Sequence, residues 1–98
     1  MDDRILAKAF KALSHPNRLQ MYTEILRQQS LDSKDLRGCA LTDFINALNI
    51  GAPTVSHHIK ELVNADLIRV ERSGKFVKCY LNEGMCKQLE GFFCQVNP

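Results

Sequence analysis

The sequence has little that would suit a membrane-spanning or exported protein. No apolar run approaches the roughly 20 residues that cross a bilayer as a helix. The first residues, Met1 to Arg4, include two aspartates, and no apolar segment follows them that could form the core of a secretory signal. We therefore expect a cytoplasmic protein that has no membrane partner and whose thiols stay reduced.

The residue patterns that most enzymes need are also missing. The chain has no glycine-rich phosphate loop, no nucleophile with a suitably spaced base and no pair of carboxylates at strand ends. We therefore expect no catalytic residue and no cofactor. These absences favour a protein that acts by binding.

The four cysteines form no Cys-x-x-Cys pair. We expect a reduced, buried thiol at Cys79 and an apolar position at a dimer interface for Cys86. Cys94 is the best candidate for a reactive thiol, because it is close to the end of the sequence and should be accessible. Two functional alternatives remain open, a thiol switch such as Cys39 with Cys94 and a thiolate site for a thiophilic metal ion.

The composition is that of one small globular domain. The chain has 98 residues, of which 45% are hydrophobic, so it can form a core but is too short for two domains. We expect a single domain over residues 1–98. A domain of this size buries a modest share of its surface, so dimerisation would be a natural source of further stability.

The spacing of apolar residues predicts a mainly α fold with one small β-hairpin. The predicted helices cover residues 5–13, 16–29, 42–49, 53–65 and 82–96. Two β-rich segments, residues 67–71 and 76–81, are joined by turn-forming residues 72–75 and therefore predict the hairpin. The polar segment from Ser30 to Gly38 is predicted to be a loop. The predicted order is α-α-α-α-β-β-α.

The predicted helix over residues 53–65 has two different sides. If Val55 lies at the centre of the buried side, about 100° per residue places Leu62 on that side as well. Four polar residues then lie on the opposite side or on the flanks: Thr54, Ser56, His57 and Lys60. Such short hydrogen-bonding groups with one cation could contact base edges in a major groove. An ordinary amphipathic surface helix is the alternative, although it would usually have more Glu and Lys pairs.

Basic residues concentrate around the predicted hairpin. Residues 69–78 include Arg69, Arg72, Lys75 and Lys78, with Glu71 as the one acid. Such a local excess is typical of a surface that contacts phosphates, and we expect Arg72 and Lys75 at the tip, with Lys78 nearby, to do so. An ordinary solvated hairpin would have the same charges, so charge alone leaves both interpretations open.

Three segments together resemble the ArsR/SmtB family of winged helix-turn-helix repressors. They are residues 12–19 (ALSHPNRL), 54–62 (TVSHHIKEL) and 65–68 (ADLI), in the family's order. The resemblance implies a homodimer formed by the first and last helices, a recognition helix in each major groove, a hairpin wing against the DNA, and release by an inducer. It implies that six residues form the dimer interface: Leu6, Phe10, Met85, Leu89, Phe92 and Phe93.

The sequence departs from this family at its metal sites. Cys39 lies two positions too early for the family's paired cysteines, Thr42 takes the place of the second, and the last predicted helix has no histidine. His57 and His58 are adjacent on a helix and therefore diverge by about 100°. We expect no metal site, a packed structural role for His58 and a capping role for His15.

The sequence therefore predicts a homodimeric, sequence-specific regulator that binds double-stranded DNA, in the form of a repressor released by an inducer. The inducer could be a small molecule, a thiophilic metal or an oxidant. One alternative is a winged-helix module that binds another protein. Others are a thiol- or redox-responsive regulator instead of a metal sensor, and a constitutive DNA-binding protein without an effector.

Overall fold

The structure is a computed structural model, and it describes residues 2–31, 51–73 and 76–95. These ranges form four α-helices and one antiparallel hairpin, which confirms the predicted fold class. In chain order the elements are α1 (Asp3–Leu13), α2 (Pro16–Leu31), α3 (Ala52–Asn64), β1 (Ile68–Ser73), β2 (Phe76–Leu81) and α4 (Glu83–Cys94). The predicted helix over residues 42–49 lies outside the described residues.

Local capping explains where the first two helices begin. The Asp2 carboxylate accepts a hydrogen bond from the Arg4 backbone N–H at 2.9 Å and starts α1. Pro16 opens α2, where its missing N–H is no loss. Just before it, His15 Nδ1 accepts a hydrogen bond from the Asn17 N–H at 3.2 Å. The predicted capping role of His15 is therefore confirmed.

Helix α2 is longer than the sequence pattern predicts. It continues to Leu31, two residues beyond the predicted end at Gln29. The polar residues after Gln29 include no proline, and the next glycine is Gly38, so the sequence offers no strong stop signal at Gln29. Residues 30 and 31, predicted as part of the loop, are therefore helical, and the rest of the predicted loop lies outside the described residues.

Helix α3 ends in a Schellman motif. Asp66 takes a positive φ of 59°, its N–H donates to the Val63 carbonyl at 3.0 Å, and the Leu67 N–H donates to the Leu62 carbonyl at 3.1 Å. Aspartate is one of the few residues that visits this left-handed conformation. The motif buries Leu67 completely and directs the chain into β1. Leu67, predicted as a strand residue, therefore belongs to the helix stop.

The hairpin has one buried side and one exposed side. Ile68 pairs with Leu81 and Val70 with Cys79 on the inner side, whereas Arg69 is exposed on the outer side. Strand β1 continues to Ser73, which pairs with Phe76, so the connection is shorter than the predicted turn over residues 72–75. The two residues between the strands lie outside the described part of the chain.

Helix α4 begins where the hairpin ends. The Asn82 side chain accepts a hydrogen bond from the Met85 N–H at 3.2 Å, and the Asn82 N–H donates to the Leu67 carbonyl at 3.0 Å. The same asparagine thus caps α4 and attaches it to the end of the α3 stop. None of the described helices is both long and apolar enough to cross a membrane.

The core lies between the helices and the inner side of the hairpin. Its largest fully buried side chains are Met21, Ile25, Leu62, Leu67 and Cys79. The burial of Cys79 confirms the expectation for that cysteine and raises the pKa of its thiol to about 11. The thiol is therefore protonated and unreactive near neutral pH.

Candidate nucleic-acid interface

One side of α3 is fixed in the core and the other faces solvent. Val55 and Leu62 are 6% and 0% exposed on the inner side. Four exposed residues, which we call the outer face, lie on the opposite side or the flanks: Thr54, Ser56, His57 and Lys60. Their exposure agrees with the side predicted from helical spacing. Their contact with DNA stays a prediction.

His58 is the one charged or polar side chain of the described core. It is 3% exposed, and neither ring nitrogen has a hydrogen-bond partner among the described residues. Its ring lies 4.4 Å from that of His15, centroid to centroid. Burial lowers the pKa of His58, and the neighbouring His15, Arg18 and His57 lower it further. His58 is therefore neutral near pH 7, and its predicted role as a packed histidine is confirmed.

The histidines do not form a recognisable metal site. The rings of His57 and His58 are 6.2 Å apart between centroids, and only His58 is buried. Over residues 2–31, 51–73 and 76–95, no group of three or more His, Cys, Asp or Glu side chains is placed to hold a metal ion. The Cys39 part of any thiolate site lies outside these ranges.

Arg18 is a residue beside α3 that the sequence analysis missed. Its side chain is 16% exposed, and its Nη1 lies 3.9 Å from Oε2 of Glu61 on α3. This distance is too long for a direct hydrogen bond. The two opposite charges still attract each other across the α2–α3 contact. The sequence did contain a signal for this residue. Arg18 lies in the first turn after Pro16, within the segment 12–19 that carries part of the family resemblance.

The charged side chains described on the hairpin differ in their exposure and in their contacts. The Arg69 guanidinium lies 4.2 Å from the centroid of the Tyr80 ring, and its Nη1 is 2.9 Å from Oε1 of Glu71. Arg69 is thus held against its own strand and its neighbour. Lys78 is half-buried and pairs in register with Glu71. Arg72 lies one residue before the end of β1, and Lys75 lies outside the described residues.

Three phenylalanines, one half-buried and two exposed, form an aromatic patch at the meeting point of α1 and α4. Phe10 lies 5.2 Å from Phe92 and 5.8 Å from Phe93, measured between ring centroids, and both contacts are edge-to-face. Phe92 is 40% exposed and Phe93 is 65% exposed. We call these three residues the aromatic patch.

The other residues predicted for the dimer interface lie in the core of the single chain. Leu6, Met85 and Leu89 are 3%, 4% and 8% exposed, so they have almost no surface left for a second copy. The other three predicted residues form the aromatic patch, and the role of all six in a dimer interface stays a prediction. Core and interface residues recur at the same helical spacing, so periodicity cannot separate them.

The described cysteines of α4 differ in their surroundings. Cys94 is exposed, whereas Cys86 is half-buried beside the buried side chain of Tyr22. Burial raises the pKa of Tyr22 and the adjacent Cys86 thiol raises it further. The accessibility of Cys94 agrees with the sequence prediction, and its role as a sensor stays a prediction.

A family model described as a helix-turn-helix domain matches residues 13–71, which is more than half of the chain. The chain belongs to the helix-turn-helix domain family. The matched region of this helix-turn-helix protein includes α2, α3 with its outer face, and β1 up to Glu71. No curated protein matches the chain in sequence.

Solved structures confirm the fold. A crystal structure of an ArsR family transcriptional regulator has a TM-score of 0.76 and 17% identity, covering 97% of this chain and 89% of that one. The transcriptional repressor BigR from Xylella fastidiosa has a TM-score of 0.63 and 22% identity, covering 95% and 86%. The helix-turn-helix protein therefore has the ArsR-type winged fold, with the hairpin as its wing. Both of these similar structures are those of transcriptional regulators.

Proposed function

We propose that the protein is a homodimeric repressor that binds double-stranded DNA and leaves its operator when an inducer binds. The observation that carries this proposal is the outer face of α3. Its four side chains are exposed together, and the opposite side of the same helix is anchored by Val55 and Leu62. The inner side of α3 can therefore stay packed in the core while the outer face enters a major groove.

The chemistry of the outer face suits sequence readout. The hydroxyls of Thr54 and Ser56 can donate and accept hydrogen bonds, and the exposed imidazole of His57 can donate from one ring nitrogen and accept at the other. Lys60 can donate to guanine or to phosphate. The proposal assigns phosphate contacts to Arg72, Lys75 and Lys78 of the wing. Phosphate contacts position a protein on DNA, and base contacts select the sequence.

A second copy of the chain is the partner proposed for the aromatic patch. Exposed apolar surface of this kind commonly marks an interaction site, and most homodimers are two-fold symmetric. The patch lies on α1 and α4, so a partner seated there would leave the outer face of α3 free. Two outer faces related by a two-fold axis would contact two half-sites of an operator.

The repressor and inducer parts of the proposal have separate support. One of the similar structures is that of a transcriptional repressor, BigR. The exposed thiol of Cys94 could respond to an oxidant or a thiophilic metal, alone or with Cys39. A small-molecule inducer is the remaining class that the proposal allows.

The test is selection of duplexes from a randomised DNA pool, followed by fluorescence anisotropy with the selected and scrambled duplexes. We expect enrichment of a palindromic sequence and weaker binding by Lys60→Gln. Lys87→Gln is the matched control, because Lys87 is an exposed lysine of α4 that lies outside the outer face. An unenriched pool, or equal losses for both variants, would contradict the proposal and favour a protein-binding module.

A further inference from the structure

A small basic cavity lies where α1, α2 and α3 meet. Its volume is about 200 Å³. The described residues that line it are Lys8, Lys11 and Ala12 of α1, Arg18 of α2, and Glu61 and Ala65 of α3. The two buried alanines leave the space open because their side chains are small. The ionisable groups among these described residues are three cations and one carboxylate, so the described part of the lining has a net positive charge.

Among the described lining residues, Arg18 has the clearest unsatisfied hydrogen-bond donor. Its Nε is buried and has no hydrogen-bond acceptor among the described residues. Its Nη1 approaches Glu61 only to 3.9 Å, which leaves that ion pair without a direct hydrogen bond. A buried N–H without an acceptor destabilises a protein, so an acceptor supplied from outside would be bound favourably. The planar guanidinium matches an oxyanion that accepts two parallel hydrogen bonds.

We infer that this cavity binds a phosphate-sized oxyanion. Arg18 would donate from its guanidinium after a side-chain shift that brings the buried Nε within reach of the anion, and Lys8 and Lys11 would contribute positive charge from α1. The volume favours a small occupant, because pockets for larger organic ligands usually measure about 300–1,000 Å³. A single phosphate group with a few waters fits the volume better than an aromatic inducer does.

Occupation of the cavity would act on α3 through Glu61. An oxyanion competes with the Glu61 carboxylate for Arg18 and repels it. Glu61 lies four residues after His57, so the two side chains are neighbours along α3. The phosphate could come from the DNA backbone or from free solution, and these two sources would have opposite effects on DNA binding. This coupling, unlike the anion binding itself, rests on the proposed function.

The first experiment needs no DNA. The Nε–H signal of Arg18 is followed by NMR in the isotope-labelled protein during titration with inorganic phosphate, with chloride at matched ionic strength as the reference. Phosphorus line broadening reports the same equilibrium from the ligand. We expect a saturable response to phosphate only. Lys11→Gln should weaken it by roughly threefold, the effect of one partly exposed charge, whereas Lys87→Gln should leave it unchanged.

Three outcomes would overturn the inference. They are the absence of any phosphate response, an equal response to chloride, and an equal loss in Lys87→Gln. A failure of DNA binding would leave the phosphate result intact, so the two proposals can fail separately.

A second experiment with duplex DNA separates the two sources. If the backbone supplies the phosphate, Lys11→Gln weakens binding to every duplex and reduces the salt slope by about 0.9. The duplex then shifts Arg18 Nε–H as phosphate does. If free phosphate is the occupant, Lys11→Gln binds DNA normally in phosphate-free buffer, and added phosphate lowers the DNA affinity of the unmodified protein more than that of Lys11→Gln. Both results support oxyanion binding.

Discussion

At the scale of single residues, His58 shows how one buried group links two helices. Its ring, on α3, is buried against that of His15 just before α2, and three neighbours that can be positively charged, His15, Arg18 and His57, oppose its protonation. A proton on this ring would have no acceptor among the described residues. The packing around α3 therefore favours the neutral form of His58.

This environment predicts a loss of stability in acid. The folded pKa of His58 is lowered from the ordinary histidine value of 6.5, so the unfolded chain takes up the proton first. The stabilising contribution is complete above the unfolded pKa and is lost as the pH falls through the folded pKa. The loss is about 1.4 kcal/mol for each pH unit between the two values. Urea unfolding at pH 7.5 and at lower pH measures it.

The control for this prediction is the neighbouring histidine. His58→Leu should have a smaller pH dependence of the free energy of unfolding. His57→Gln should keep most of that of the unmodified protein, because His57 is exposed and is the smallest of the named influences on the pKa of His58. The assignment to His58 fails if the two variants have equal pH dependence.

Two other single residues should have different effects on DNA binding. His57→Ala should relax discrimination at one base pair by roughly 1–3 kcal/mol, because it removes a base contact. Lys75→Ala should weaken binding to all sequences alike and flatten the salt dependence, because it removes a phosphate contact. Anisotropy on the operator and on random duplexes, at several salt concentrations, checks both. Equal losses on both kinds of DNA for both variants would count against the assignment.

At the scale of elements, the end of α3 decides where the wing begins. The Schellman motif at Asp66 stops the helix and turns the chain into β1, with Leu67 as its buried contact. The geometry between the outer face and the wing therefore depends on one left-handed residue. A change of conformation there would move the wing relative to α3.

Substitutions at Asp66 should follow its backbone conformation. With φ at 59°, Asp66→Gly should be neutral or stabilising by up to about 1 kcal/mol, because glycine adopts this region without strain. Asp66→Val should destabilise by roughly 1–2 kcal/mol, because a β-branched residue fits it poorly. Thermal unfolding measures both changes. Asn64→Val, on the exposed side of α3 in helical conformation, should cost only a few tenths of a kcal/mol, and an equal cost would refute the conformational explanation.

At the scale of the whole molecule, the aromatic patch would determine how copies of the chain associate in the proposed dimer. Its three rings lie on α1 and α4, whereas the outer face lies on α3. Association through the patch would therefore produce a particle with two DNA-contacting sides. The expected half-sites are about 34–36 Å apart, or a multiple of that spacing.

The oligomeric state should depend on Phe93. Phe93→Asp places a charge in the aromatic patch, where Phe93 is 65% exposed in the single chain, so we expect a folded monomer. Leu19→Asp is the control, because Leu19 is 48% exposed on α2, away from the patch. Sedimentation equilibrium gives the mass of each variant. A dimeric Phe93→Asp protein would show that the patch is not the interface.

Much of this arrangement could be predicted from the sequence alone. The two sides of α3, the capping by His15, the burial of Cys79 and the hairpin were all predictable, because each depends on local spacing or on a few neighbouring residues. The end of α2 was predicted two residues too early. The polar residues after Gln29 favour a loop and a helix almost equally, and local pattern does not decide between them.

Only the tertiary structure could decide which distant residues meet. Leu6, Met85 and Leu89 lie in the core and Phe93 outside it, although all recur at the spacing of an amphipathic helix. Arg18 and Glu61 are more than forty residues apart in the chain, yet they face each other across one basic cavity. Helical spacing determines the side of a helix on which a residue lies, because backbone geometry is local. What covers that side depends on how separate elements pack.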